Sequence, residues 1–254
     1  MPNAYFRFYE ELNDFLPPER RKVRFAVSFE NSPGIKDVVE SLGVPHTEID
    51  VILVNHLSSN FTYQLKDNDD VAVYPVFESF DVSPLVRLRA HPLRRPMAFI
   101  GDVHLGRLSR MLRILGFDTL YRNDYQDKEI VAIAKQEERI ILTRDRGILK
   151  HNAVTHGYCV RSTDWHEQTR EVINRFDLSR SINPFTICAA CNGRVAPVDK
   201  AAVIDLLEEK TRRFYDEFSR CEACGKIYWK GSHFAKLRGL IKELIGEADR
   251  GFGN

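Results

Sequence analysis

Met97-Ala-Phe-Ile-Gly-Asp102 is a short apolar run of buried-strand length that ends in a glycine and a carboxylate. Behind it Leu105, Leu108, Met111, Leu112 and Leu115 recur at helical spacing, and Gly116 stands where a C-terminal cap belongs. Arg107, Arg110 and Arg113 follow one another at intervals of three and are expected on the opposite side of that helix. The stretch thus predicts a carboxylate at the carboxyl end of a strand, beside a helix with one apolar and one cationic face. Ligands of open α/β sheets bind at that end of the strands. Taken alone, Asp102 can equally be a helix cap and the arginines solvated.

Downstream, strand and helix patterns alternate. Asp118 to Tyr121 reads as a second strand, followed by a helix from about Asp127 with Ile130, Ile133 and Ala134 inward. Arg139-Ile-Ile-Leu-Thr143 is a third strand, ending in Arg144-Asp145-Arg146. Gly157-Tyr-Cys-Val160 is a fourth, followed by Ser162-Thr-Asp164 and a helix carrying Val172, Ile173 and Phe176. Repeated strand–helix units imply a parallel sheet with helices on both faces. Parallel strands present their carboxyl ends on one edge, so Asp102, Asp145 and Asp164 are expected to converge there, with Asp127 at the start of a helix. Clustered carboxylates repel unless protons or cations neutralise them. All-oxygen ligation suits Mg²⁺ or Mn²⁺, which polarise a phosphodiester and activate water. Each acid also has a plain structural role open to it: Asp127 and Asp164 as helix starts, Asp145 as the start of a turn.

Phe99-Ile-Gly-Asp102, the run from Leu105 to Asp118 and Arg139-Ile-Ile-Leu-Thr-Arg-Asp-Arg146 resemble the Mut-seven C-terminal RNase domain, a PIN-like family of metal-dependent ribonucleases. The resemblance implies a PIN-like parallel α/β nuclease core, a zinc ribbon after it and a ubiquitin-like domain before it. It also implies catalytic acids holding Mg²⁺ or Mn²⁺ at Asp102, Asp127 and Asp145, with Asp164 as a fourth. Asp124 competes with Asp127, because Asn123-Asp-Tyr-Gln-Asp127 holds two acids three residues apart. Arg107, Arg110, Arg113, Arg144 and Arg146 are expected to hold the RNA backbone.

Cys188-Ala-Ala-Cys191 and Cys221-Glu-Ala-Cys224 are separated by 29 residues. Two such knuckles supply four thiolates for tetrahedral Zn²⁺, a closed and therefore structural shell. The insert, with Val203-Ile-Asp-Leu-Leu207 and Phe214-Tyr215, is expected to form one helix. Cys159 reads as a buried core thiol. After the second knuckle, Lys226-Ile-Tyr-Trp-Lys-Gly-Ser-His233 interleaves aromatics with cations, as surfaces that stack bases do. Trp229 and His233 are the RNA-contact candidates there; Trp229 can instead pack on the ribbon. A last helix is expected from Leu237 to Ile245, and residues 251–254 should fray.

Before the core, Tyr5 to Tyr9 and Val23 to Phe29 alternate like strands, broken by Pro17-Pro18. Ser32-Pro33 reads as a helix start, with Ile35, Val38, Val39 and Leu42 as its apolar stripe and Gly43 as its end. Val51 to Val54 and Val71 to Tyr74 complete a ββαββ order. Val51-Ile-Leu-Val-Asn55 and Asp69-Asp-Val-Ala-Val-Tyr-Pro75 resemble the ubiquitin-like sulfur carriers, which implies a β-grasp module. The reactive Gly-Gly tail of those carriers is replaced here by Pro75-Val-Phe-Glu-Ser79, so scaffolding or a protein partner is expected of this module rather than carrier chemistry. Arg87, Arg89, Arg94 and Arg95 then form a basic linker.

The expected organisation is a β-grasp (ubiquitin-like) domain over 1–82, the linker over 83–96, the nuclease core over 97–180, and the zinc ribbon with its helix over 181–250. The fold class is α/β plus α+β. With 254 residues, 43% hydrophobic and 29% charged, and a net charge of +1, the composition is that of an ordinary globular protein. No apolar run approaches the ~20 residues of a membrane span, and the N-terminus lacks a signal-peptide core. A cytoplasmic setting is expected, in which paired cysteines favour metal over disulfide. RNA hydrolysis is the expected activity. The alternatives are a non-catalytic RNA-binding module or a ubiquitin-like adaptor.

Overall fold

The computed structural model describes residues 1–76, 88 and 96–248. The arginines 87, 89, 94 and 95 of the basic linker, and residues 251–254, lie outside the described residues.

The chain begins with β1 (Asn3–Phe8), β2 (Phe25–Ser28), α1 (Ile35–Ser41), β3 (Ile49–Val54), β4 (Leu57–Ser59) and β5 (Asp70–Pro75). These strands form one mixed sheet in the order β2-β1-β5-β3-β4. β1 and β5 are parallel, with Tyr5 opposite Asp70 and Phe8 opposite Val73, while the other pairs are antiparallel. Alternation decides the faces: Ala4, Phe6, Phe8, Val71 and Val73 are buried, as are Ile35, Val38 and Val39 of α1. The expected helix is present, but Gly34 rather than Ser32 precedes it at the cap position. The short strand β4 had no sequence signature, because Leu57 on it is exposed.

Next come β6 (Ala98–Gly101), α2 (Gly106–Ile114), β7 (Asp118–Leu120), α3 (Asp127–Glu137), β8 (Ile140–Thr143), α4 (Arg146–Leu149), β9 (Gly157–Cys159) and α5 (Trp165–Arg175). β6 pairs with β7 and β8 with β9, both in parallel. Every residue of β6, β8 and β9 is buried, the continuous apolar run of strands covered on both faces. Phe99 packs edge-on to Phe117 and Phe176, with ring centroids 6.3 and 5.7 Å away.

The last part holds β10 (Val195–Val198), α6 (Lys200–Val203), α7 (Glu209–Phe214), β11 (Phe218–Cys221), β12 (Ile227–Trp229) and α8 (Ser232–Ala248). The three strands make an antiparallel sheet. The single helix expected between the knuckles is two short ones. Leu207 and Glu208 take extended backbone, with ψ of 141° and 147°, and that kink lets Val203 and Leu207 both reach Phe218.

By contacts the chain divides into two compact units, residues 1–95 with 126–159 and residues 96–125 with 160–254. Inside the first unit, the N-terminal sheet module is bonded to the α4–β9 segment. Glu48, fully buried, accepts the backbone N–H of Cys159 at 2.6 Å. His46 Nε2 lies 3.0 Å from the Val154 carbonyl, and Lys150 donates to the Glu40 carbonyl at 2.6 Å. Cys159 is a buried thiol, as expected. Among the described residues no helix is long and apolar enough to cross a membrane.

Candidate functional site

Asp102 leaves the end of β6 and is 5% exposed. One of its carboxylate oxygens accepts the N–H of His104 at 2.8 Å and its carbonyl accepts that of Leu105, which turns the chain into α2. Two glycines set how closely this turn is held. A Cβ on Gly101 would stand 2.3 Å from Ser109 Oγ, and one on Gly106 would stand 2.7 Å from the Tyr121 hydroxyl. That hydroxyl donates to the Val103 carbonyl at 3.1 Å. Strand, turn and helix therefore meet at backbone distance around Asp102.

Asp145 follows β8 and caps α4, accepting the N–H of Gly147 at 2.7 Å, while its own N–H donates to Thr143 Oγ1 at 2.8 Å. Its carboxylate is exposed, as are Arg144 and Arg146. Arg146 turns to the N-terminal module: it donates to the Phe15 carbonyl at 3.3 Å, with its guanidinium 4.9 Å from the centre of the Phe15 ring.

Asp127 is the first residue of α3 but does not cap it. Gln126 occupies the cap, its N–H donating to Glu129 Oε2 at 2.8 Å. No hydrogen bond among the described residues engages the exposed Asp127 carboxylate. Its rival Asp124 is held by Arg122 through both oxygens, at 2.9 and 2.7 Å, and those bonds keep its carboxyl below the usual range. Asp164 does the structural work open to it: Oδ1 caps α5, accepting from His166 and Glu167, and the Glu167 N–H bond above all lowers its carboxyl.

The cysteines come together. Cys188, Cys191, Cys221 and Cys224 place their sulfurs within 4.8 Å of one another, the one such group of three or more His, Cys, Asp or Glu ligands among the described residues. None of the described aspartates belongs to a group that tight. Cys188 and Cys224 stand 3.7 Å apart and Cys191 and Cys221 3.4 Å. A tetrahedral zinc with ~2.3 Å bonds needs sulfurs roughly 3.8 Å apart, so the set fits the ion. Backbone N–H groups of Gly193 and Cys224 point at Cys191 and Cys221 sulfurs. A Cβ on Gly193 would lie 2.9 Å from Cys221 Sγ, so the first knuckle closes only with glycine there. Burial raises the Cys188 thiol, but bonds from the Tyr228 hydroxyl and the Ala190 and Cys191 backbone outweigh it and bring it to about 6. Burial, then bonds to the other three sulfurs, pushes Cys191 up to about 12. Four sulfurs this close are a donor set whose charge a divalent cation would neutralise.

Arg113 corrects one expectation. It is 5% exposed, not on a cationic face. Its guanidinium donates to the Thr119 carbonyl at 2.7 Å and to the Ala190 carbonyl of the first knuckle at 3.0 Å. Beside it Asn192 donates to Asp118 and accepts the Thr119 N–H. The cysteine centre is thereby tied to α2 and β7, a role the sequence did not announce. Arg107 and Arg110 are exposed, as expected. Trp229 is 41% exposed on β12, and the His233 side chain lies outside the described residues.

Residues 97–241 match the family model described as Mut7-C RNAse domain, and residues 1–81 match that described as Mut7-C ubiquitin. Among curated proteins and solved structures, none matches the chain.

Proposed function

Because the chain belongs to the Mut7-C RNAse domain family, we propose that it is a metal-dependent ribonuclease hydrolysing RNA phosphodiesters at Asp102, Asp127 and Asp145. The observation that carries this is the match of residues 97–241 to a ribonuclease domain. It is supported by the acids themselves: Asp102 buried at a strand end, Asp145 at another, and Asp127 left free by its own helix cap. Asp164 enters as a fourth acid through Oδ2, since its cap bonds use Oδ1. These carboxylates would hold Mg²⁺ or Mn²⁺, which when bound polarises the phosphate and lowers the pKa of a water. Exposed Arg107 and Arg144 offset the charge of the RNA backbone around the scissile bond, and exposed Arg110 that of the backbone farther along α2. The four cysteines would hold a structural zinc, and the ubiquitin-like module is a surface for a protein partner. A cytoplasmic setting goes with this, because reduced thiols persist there as metal ligands.

The test is cleavage of labelled RNA and DNA by the full chain, with Mn²⁺ and with chelator. Asp102→Asn is expected to abolish cleavage and leave RNA binding intact. Wild-type rates in Asp102→Asn would remove that residue from the site. Salt-dependent binding with no turnover under any divalent ion would instead select a non-catalytic RNA-binding protein.

A further inference from the structure

The second unit holds a half-open cavity of about 690 Å³ between α2, the three-stranded sheet and α8, and none of the aspartates proposed for catalysis lines it. Its size is that of a small-ligand site, and much of its wall is aromatic: Phe185, Phe218, Tyr228, Trp229 and Phe234. Phe185 and Phe234 sit at a 37° tilt with centroids 4.6 Å apart, and Trp229 leans toward Tyr215 at 6.5 Å. Trp229 lines the cavity while remaining 41% exposed.

The charges at the rim indicate what the occupant carries. Lys200 is paired with Asp216 at 2.8 Å, and Lys230 with Glu217, so four of the six charged lining groups cancel. Asp199 remains as a hydrogen-bond acceptor and Arg110, exposed on α2, as a cation. A free phosphate would find too little positive charge here, and an aliphatic ligand would leave Asp199 and Arg110 without use. A flat, uncharged ring with N–H groups on its edge, covalently joined to an anion, meets all three conditions. That is a nucleotide of single-stranded RNA, its base stacked inside and its phosphate toward Arg110.

We propose that this cavity anchors one unstacked base of the RNA substrate. The proposal rests on the ribonuclease reading for the identity of the polymer and gives it a substrate class: single strands, held by a base at a site separate from the bond that is cut. α2 links the two places. It starts beside the turn made by Asp102 and ends in the cavity wall at Ile114, ~12 Å along its axis from Gly106. A strand held in the cavity needs only a few nucleotides to span the length of α2 to the turn at Asp102.

The experiment measures binding of the zinc-loaded full chain to fluorescein-labelled oligouridylate and to the abasic ribose-phosphate of equal length, without Mg²⁺ or Mn²⁺. Wild type should prefer the base-bearing strand by about 10-fold, the worth of one stacked base. Trp229→Ala should erase that preference and Trp229→Phe should keep part of it. Arg110→Ala should weaken both ligands alike and leave the preference in place, a readout available even if Trp229→Ala fails to retain zinc. Equal wild-type affinity for the two strands, or an undiminished preference in a zinc-loaded Trp229→Ala, would overturn the proposal. Failure of the nuclease reading looks different: the base preference would persist while no divalent ion supports cleavage.

Discussion

Asp124 and Asp127 lie three residues apart, and what separates them is what each carboxylate is already doing. Arg122 holds both oxygens of Asp124, whereas the helix beside Asp127 is capped by Gln126 and Glu129. Asp127→Asn is therefore expected to lower Mn²⁺-dependent cleavage by more than ~100-fold, beyond the ~10–100-fold that loss of an outer-shell partner costs. Asp124→Asn should stay close to wild type; single-turnover rates of the two variants decide it, and the reverse order would make Asp124 the second acid. In the sequence the two acids were indistinguishable, because a capping box is set by a backbone geometry that spacing alone does not reveal. The arginines show the same limit. Residues three apart on a helix of 3.6 per turn drift about 60° per step, so the series from Arg107 through Arg110 rotates Arg113 into the buried side. The cysteines were legible because a metal shell imposes its own spacing on the chain.

At the scale of elements, the turn from β6 into α2 depends on a missing side chain. Gly101 lets α2 approach until Ser109 Oγ is 2.3 Å from where a Cβ would be, and that buried hydroxyl has no hydrogen-bond partner among the described residues. Gly101→Ala should cost ~1–3 kcal/mol through overpacking. Ser109→Ala alone should be nearly neutral, and the double variant should recover most of the loss in chemical denaturation, since the clashing atom is gone. Additive losses would place the strain elsewhere. The strands and helices around this turn were readable because buried parallel strands are continuous apolar runs and α2 carries a clear stripe. Short elements were not. β4 has three residues and an exposed Leu57, too little to show an alternation, and the α6–α7 break is set by Phe218 on another element.

Over the whole molecule, the N-terminal module is part of a larger unit. Glu48 offers its carboxylate to Cys159 N–H in place of a neighbouring strand, and Arg146 next to Asp145 reaches back to Phe15. Glu48→Ala should lower stability by ~1–3 kcal/mol by stranding that N–H, read as a fall in the denaturation midpoint. No change would mean the module is held by other contacts. Nothing in the sequence marked Glu48, which lies over a hundred residues from its partner. The chain passes from one unit to the other at residues 95–96, 125–126 and 159–160. Synthesis on the ribosome must therefore run through residue 159 before the first unit has all its parts. Until then the N-terminal sheet, made earliest, waits with its docking surface uncovered, the interval in which a growing chain most needs a chaperone.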